Sequence, residues 1–202
     1  MIKLFCFPRS GNSREVKLVL AEKSIPFEPV DIHSNKEAAE SEEFKKASPN
    51  KKVPAIIDGD IYMNEAFSIN QYLEKKFPAP ALMPKDPVKA KEIVDFVTLY
   101  DKKLVLQIGL LVIECLLKPK DQQKEETKEK QRGIIRQALG DLDKMLEGRE
   151  YLFGDYSLAD ISITPHVAAL PILGTSIPVE FKNMTTYFER IKARPSFKAS
   201  QS

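Results

Sequence analysis

The sequence predicts an α/β domain followed by an all-helical one, and three observations carry that reading. Near the start, two short apolar stretches flank a helically spaced one, the mark of a βαβ unit. Four prolines then fall between Phe77 and Pro87, which neither a helix nor a central strand tolerates. Beyond them the apolar spacing is helical as far as Ala193. The expected boundaries are therefore 1–77 for the α/β domain, 78–86 for the linker and 87–202 for the helical domain. A chain of 202 residues suits one large core or two small ones.

Each element has its own justification. Ile2, Leu4, Cys6 and Phe7 read as a strand, and Val16 to Ala21 read as the helix that follows. Between them Pro8 to Asn12 has turn chemistry, and Ser10 or Asn12 can cap the helix N-terminus. There, free N–H groups at the positive end of the helix would stabilise an anion. Ile25 to Ile32 alternates apolar and polar with prolines at 26 and 29, an edge or near-edge strand parallel to the first. Residues 35–47 read as an irregular surface helix. Val53-Pro54 stands directly before the apolar run Ala55-Ile56-Ile57, where a cis bond would turn the chain. Asp58-Gly59-Asp60 closes a hairpin with Ile61-Tyr62-Met63, and Asn64 then caps a helix over Glu65 to Lys76.

In the second half, Val88 to Leu117 reads as one long helix with Gly109 as its bend, and Lys118 to Asp121 as the break. Gln122 to Glu147 is a helix whose first turns alternate charges of both signs, a solvated face. Ser157-Leu158-Ala159-Asp160 has capping-box spacing and opens an apolar helix over Ile161 to Leu170, with Pro165 in its first turns. A last helix is expected over Val179 to Ala193.

Composition excludes several classes. With 31 basic against 29 acidic residues, no nucleic-acid surface is expected. Cys6 and Cys115 form no Cys-x-x-Cys pair, and two histidines give no metal-ligand spacing, so no metal is expected. The run Leu104 to Leu117 is too short to span a bilayer. With no basic-then-apolar leader, a soluble cytoplasmic protein away from membranes is expected.

Taken together, the α/β domain, proline linker and helical domain, with Val53-Pro54, Asn64-Glu65-Ala66 and Ser157-x-x-Asp160 at these spacings, resemble cytosolic glutathione transferases. The resemblance covers essentially the whole chain. It points to the serine-type classes (phi, theta and bacterial-like). It implies a thioredoxin-like α/β N-terminal domain, an all-α C-terminal domain and a homodimer. In those classes the catalytic hydroxyl precedes the first helix, often as Pro-x-Ser, and Pro8-Arg9-Ser10 looks like that. Ser10 is the first candidate and Ser13 the second. The implied role is to donate to the sulfur of glutathione, the co-substrate, and so favour thiolate over thiol. A single charge-assisted bond contributes about 1.5–3 kcal/mol, or one to two pKa units. Arg9 and the helix end would act in the same direction, and Asn12 is a further candidate for binding glutathione.

The remaining contacts follow residue by residue. Val53, before the family's cis-proline at Pro54, would pair its backbone with the glutathione cysteinyl amide. Lys52 sits where members place a Gln or Lys facing the peptide, and Glu65 matches the acid that binds the γ-glutamyl ammonium. One position departs: Ala66 stands where a Ser or Thr hydroxyl usually meets the γ-glutamyl carboxylate. Only its N–H remains, which lowers affinity by about 1 kcal/mol. The family also implies an apolar pocket for a small electrophile between the domains, for which Phe7, Tyr100 and Lys103 are candidates. Transfer of glutathione to a small hydrophobic electrophile is thus the leading expectation. Peroxide reduction, isomerisation by the same thiolate, and a non-catalytic adaptor of the same fold are the alternatives.

Overall fold

The computed structural model describes residues 1–201 and divides into two compact units. The first comprises Met1–Met83 together with the chain from Arg194 onward, and the second is Pro84–Ala193.

The first unit contains β1 (Ile2–Cys6), α1 (Gly11–Glu22), β2 (Phe27–Asp31), α2 (Lys36–Glu40), α3 (Glu42–Ala47), β3 (Ala55–Asp58), β4 (Ile61–Asn64) and α4 (Ala66–Lys76). Its sheet runs β2-β1-β3-β4, with β2 parallel and β3 antiparallel to β1. Pro29 lies in β2, where the edge position tolerates a residue without an N–H. Phe5, Phe44, Ala47 and Ala55 form one buried cluster. Helices α1 and α4 pack together and bury Val16, Leu18, Val19 and Leu20 with Ile69 and Leu73. Each such aliphatic side chain contributes about 1.5–3 kcal/mol before chain entropy is counted.

Two expectations are corrected here. The surface helix over 35–47 is two helices, because Asn35 and Ser41 each cap a new one with a side-chain oxygen. Asn64 does not cap α4: it ends β4, and Glu65 holds the cap position without a side-chain bond. The expected cis bond at Val53–Pro54 is present, and Ala79–Pro80 is also cis. The proline segment is tied down. The Lys23 ammonium donates to the carbonyls of Phe77 and Pro80 at 2.7 Å and pairs with Glu74 at 2.6 Å. Glu74 in turn accepts from the Leu82 and Met83 N–H groups.

The second unit contains α5 (Pro87–Tyr100), α6 (Leu106–Val112), α7 (Glu125–Met145), α8 (Leu158–Ala168) and α9 (Lys182–Ala193). Gly109 is not the bend. The long helix widens into π turns at Asp101–Val105 and Ile113–Leu117, on either side of α6. At the first of these, Gln107 donates its side-chain amide to the Lys102 carbonyl at 3.0 Å.

The capping box at Ser157 forms as expected. Asp160 accepts from the Ser157 N–H at 2.9 Å, the Leu152 N–H at 3.0 Å and the Tyr187 hydroxyl at 3.1 Å. Because the cap is at Ser157, α8 starts at Leu158, and Pro165 falls in its interior instead of its first turns. Burial pushes the Asp160 carboxyl up to about 6, against the opposing pull of those hydrogen bonds. Helix α9 starts late, at Lys182, where Asp143 of α7 accepts the Met184 N–H at 2.8 Å.

The end of the chain differs most from expectation. A short helix, α10 (Pro195–Ala199), packs on α1 in the first unit. Arg194 grips the Glu22 carboxylate through Nε and Nη2 at 2.8 Å each, and the Ser196 hydroxyl donates to the same carboxylate. The Arg14 guanidinium lies 5.0 Å over the Phe197 ring. Burial pushes Glu22 up, but the bonds from Arg194 and Ser196 outweigh it and hold the carboxyl below its ordinary value.

Candidate functional site

The strand register gathers the candidate residues of the first unit. Phe5 of β1 pairs with Ala55 of β3, and Ala55 pairs in turn with Asn64 of β4. The chain beyond β1, the Val53-Pro54 step before β3 and the Glu65-Ala66 step after β4 therefore leave the sheet at one end. Helices α1 and α4 both begin there, so two helix N-termini lie at the same end of the sheet.

Ser10 is the N-cap of α1: its Oγ accepts the Ser13 N–H at 3.2 Å, and its own N–H goes to the Phe7 carbonyl at 2.9 Å. Among the described residues nothing accepts the Ser10 O–H, and the residue is partly exposed. Ser13 differs. It is 1% exposed, and its Oγ accepts the Phe7 N–H at 3.3 Å, which holds the loop closed from inside. Asn12 and Arg9 are exposed beside Ser10. Cys6 is buried, and burial pushes its thiol up, away from the reactive thiolate form.

The loop before Pro54 is built on Ser48, which is fully buried. The Ser48 hydroxyl lies 2.8 Å from the Lys52 carbonyl and 2.7 Å from Asn50 Oδ1, and it accepts the Lys52 N–H at 3.0 Å. This leaves Lys52 exposed, Val53 partly exposed and Pro54 buried. Lys51 takes a positive φ of 55° and pairs with Glu40 at 2.9 Å. Glu65 has φ 69°, a left-handed conformation that costs a non-glycine residue about 1–3 kcal/mol. It is exposed, while Ala66, the first residue of α4, is buried.

Sequence reasoning missed Ser48, His33 and Arg14. The Ser-Pro-Asn turn at 48–50 was a legible signal for the first. His33 sets its ring 4.8 Å from that of Phe7, tilted by 43°, beside the Ser10 loop, through a pairing no local pattern encodes. Arg14 follows Ser13, and its Nε and Nη2 are buried without a hydrogen-bond acceptor. Two expected pocket residues belong to the second unit. Tyr100 is core there, stacked 4.3 Å from Phe96 with its hydroxyl toward Met145, and burial pushes its pKa up to about 12. Lys103 pairs with Asp141. Among the described residues no three of His, Cys, Asp and Glu come together to hold a metal, and no helix is long and apolar enough to cross a membrane.

Comparison with known proteins decides the family. The family model for the glutathione S-transferase N-terminal domain matches residues 4–81, and the model for the C-terminal domain matches residues 106–195. The chain is a member of the glutathione S-transferase family. Maleylacetoacetate isomerase of Mus musculus is 32% identical over 171 residues, covering 82% of this chain and 76% of that protein. A stringent starvation protein A homolog of Coxiella burnetii is 29% identical over 204 residues, covering 100% of this chain and 92% of that protein. Among solved structures, a glutathione transferase from Burkholderia graminis aligns with a TM-score of 0.85 at 26% identity, over 99% of this chain and 87% of that one. It was crystallised with two glutathione molecules per subunit.

Proposed function

We propose that this family member binds reduced glutathione at the sheet end where α1 and α4 begin, and transfers it as a thiolate to a small hydrophobic electrophile. The observation that carries the reading is the pairing Phe5–Ala55–Asn64, which collects Ser10, Val53 and Glu65 at one edge. The γ-glutamyl ammonium would meet the Glu65 carboxylate, and the γ-glutamyl carboxylate would take the N–H groups at the start of α4. The cysteinyl amide would pair with the Val53 backbone, with Lys52, Asn12 and Arg9 at the rim. The sulfur would lie at the N-terminus of α1, where the Ser10 O–H donates to it. The thiol proton leaves to solvent before the attack, the sulfur–carbon bond forms, and the electrophile either releases its leaving group with the bonding pair to solvent or opens a π bond whose carbanion takes a proton from solvent. Ser13 is the alternative donor, but it is buried where Ser10 is partly exposed, so a ligand sulfur reaches it less readily.

A second reading has its own support. The likeness to maleylacetoacetate isomerase extends over most of the chain and favours a variant in which the thiolate adds to a substrate and leaves again after isomerisation. A non-catalytic member is the third reading, and Ala66 favours it. Calorimetric titration with reduced glutathione separates the first two from the third. Micromolar to low-millimolar binding, tightened about fivefold in Ala66→Ser by a restored hydroxyl worth about 1 kcal/mol, is the expected outcome. Absence of binding in both proteins would sink the enzyme readings together.

Operation as a cytoplasmic homodimer is part of the proposal. Leu106, Leu110, Ile113 and Leu117 are exposed at spacings of four, three and four along the long helix, a single apolar face. A second copy of the chain would cover it.

A further inference from the structure

Ser48 ends α3 with no exposed surface, and its main chain and side chain do separate work. Its N–H goes to the Phe44 carbonyl at 2.7 Å and closes the helix. Its carbonyl accepts the Lys51 N–H at 2.9 Å and closes the turn that follows. Any residue with an N–H could do both. The hydroxyl is needed for neither, and it goes to Lys52.

The Ser48 Oγ accepts the Lys52 N–H at 3.0 Å and donates to the Lys52 carbonyl at 2.8 Å, so both polar groups of one backbone residue meet the same oxygen. Asn50 Oδ1 is a second acceptor for the proton at 2.7 Å, but the oxygen stays against Lys52 with either partner. Asn64 Nδ2, at the end of β4 and next to Glu65, stands 3.5 Å from it.

The consequence falls on the next N–H. The Lys52–Val53 peptide is trans, and in a planar trans peptide the N–H points opposite to the C=O. With the Lys52 carbonyl turned inward onto a buried hydroxyl, the Val53 N–H is turned outward. Val53 is partly exposed, and among the described residues nothing accepts its N–H. A fixed donor without a partner is thus presented at the end of the sheet where Ser10 and Glu65 also gather.

We propose that Ser48 is a positioning residue for glutathione: its hydroxyl holds the Lys52–Val53 peptide so that the Val53 N–H is aimed at the cysteinyl carbonyl before the ligand arrives. The inference rests on the reading of this sheet end as the glutathione site. Without the hydroxyl the peptide plane is free to turn, and the ligand must order it on binding. Ser48 touches neither the ligand nor its sulfur, so its effect falls on affinity and leaves the thiol pKa to Ser10.

The test uses the full chain and reduced glutathione, read by calorimetry, by thiolate absorbance across pH and by the Val53 amide resonance. In the wild type, the Val53 amide proton should move downfield as glutathione is added. Ser48→Ala should weaken glutathione about tenfold, the equivalent of one hydrogen bond, while the pKa of the bound thiol keeps its wild-type value. Ser48→Thr keeps the hydroxyl and should bind within about threefold of wild type. Asn50→Ala, at an exposed position, should bind as wild type does, because the Ser48 proton then goes to Lys52 alone. A purely structural Ser48 would lower the melting temperature of Ser48→Ala and leave its affinity unchanged while folded. That result, or an equal loss of affinity in Asn50→Ala, would overturn the inference. So would an unmoved Val53 amide in a wild-type protein that binds glutathione, a readout that depends on no variant folding. A wild type that binds no glutathione would remove the site reading and this inference together, which sets that failure apart from the others.

Discussion

Ser10 and Ser13 are three positions apart and chemically identical, yet the structure gives them different work. Ser13 faces inward and holds the Phe7 N–H, while Ser10 caps the helix and its O–H meets no acceptor among the described residues. Glu65 is a second residue whose geometry speaks to function. Its positive φ would be relieved by glycine, so Glu65→Gly should raise stability by about 1 kcal/mol in urea unfolding while weakening glutathione at least tenfold. A variant that is neither more stable nor weaker in binding would remove Glu65 from the site. Asp160 offers a pH signature. Its pKa is raised from 3.8 to about 6, so the folded state holds the proton more tightly than the unfolded one. The resulting stabilisation is fully present below the unfolded value and is lost as pH rises through about 6, at most about 3 kcal/mol. The stability gap between wild type and Asp160→Asn should therefore narrow between pH 4 and pH 7. A gap that widens instead would place the Asp160 pKa below its ordinary value.

At the scale of elements, what the sequence revealed depended on how local each cause was. The βαβ start, the Asp58-Gly59-Asp60 hairpin and the Ser157 capping box follow from residues within a few positions of one another, and each is where it was expected. The features that escaped prediction are held from far along the chain. Helix α9 starts at the point where Asp143 accepts the Met184 N–H, and the start of α10 is held where Glu22 accepts from Arg194 and Ser196. Gly109 misled in the opposite direction, because a glycine can bend a helix but need not, and the wide turns formed elsewhere. The Glu22 clamp carries its own prediction. Arg194→Ala leaves a half-buried carboxylate without its cation and should cost about 1–3 kcal/mol. Faster amide exchange in α10 than elsewhere in the first unit checks this, and uniform exchange across the unit would contradict it. Since Glu22 is held below its ordinary value, the clamp is intact above the unfolded pKa and is lost as pH falls.

For the whole molecule, membership of the glutathione S-transferase family accounts for both units and their order. The candidate site was marked less directly: Ser10, Val53-Pro54 and Glu65 were singled out by a family resemblance that rests on the order and spacing of motifs each weak alone, and the sheet register brings them to one end of the sheet. Tyr100 is buried in the second unit and stacked on Phe96, as an aromatic at helical spacing serves a core as readily as a pocket. The apolar face of the long helix leads to a prediction about assembly. Leu106→Glu with Leu110→Glu should convert a dimer to a monomer in light scattering. A wild-type monomer, or a variant that stays dimeric, would show that this face has another use. The most direct test of the central claim is the thiolate absorbance of bound glutathione followed across pH in wild type, Ser10→Ala and Ser13→Ala. The expected result is a thiol pKa lowered by one to two units in wild type and Ser13→Ala and returned to that of free glutathione in Ser10→Ala. A lowered pKa that survives in Ser10→Ala would contradict the assignment of Ser10 as the group that holds the thiolate.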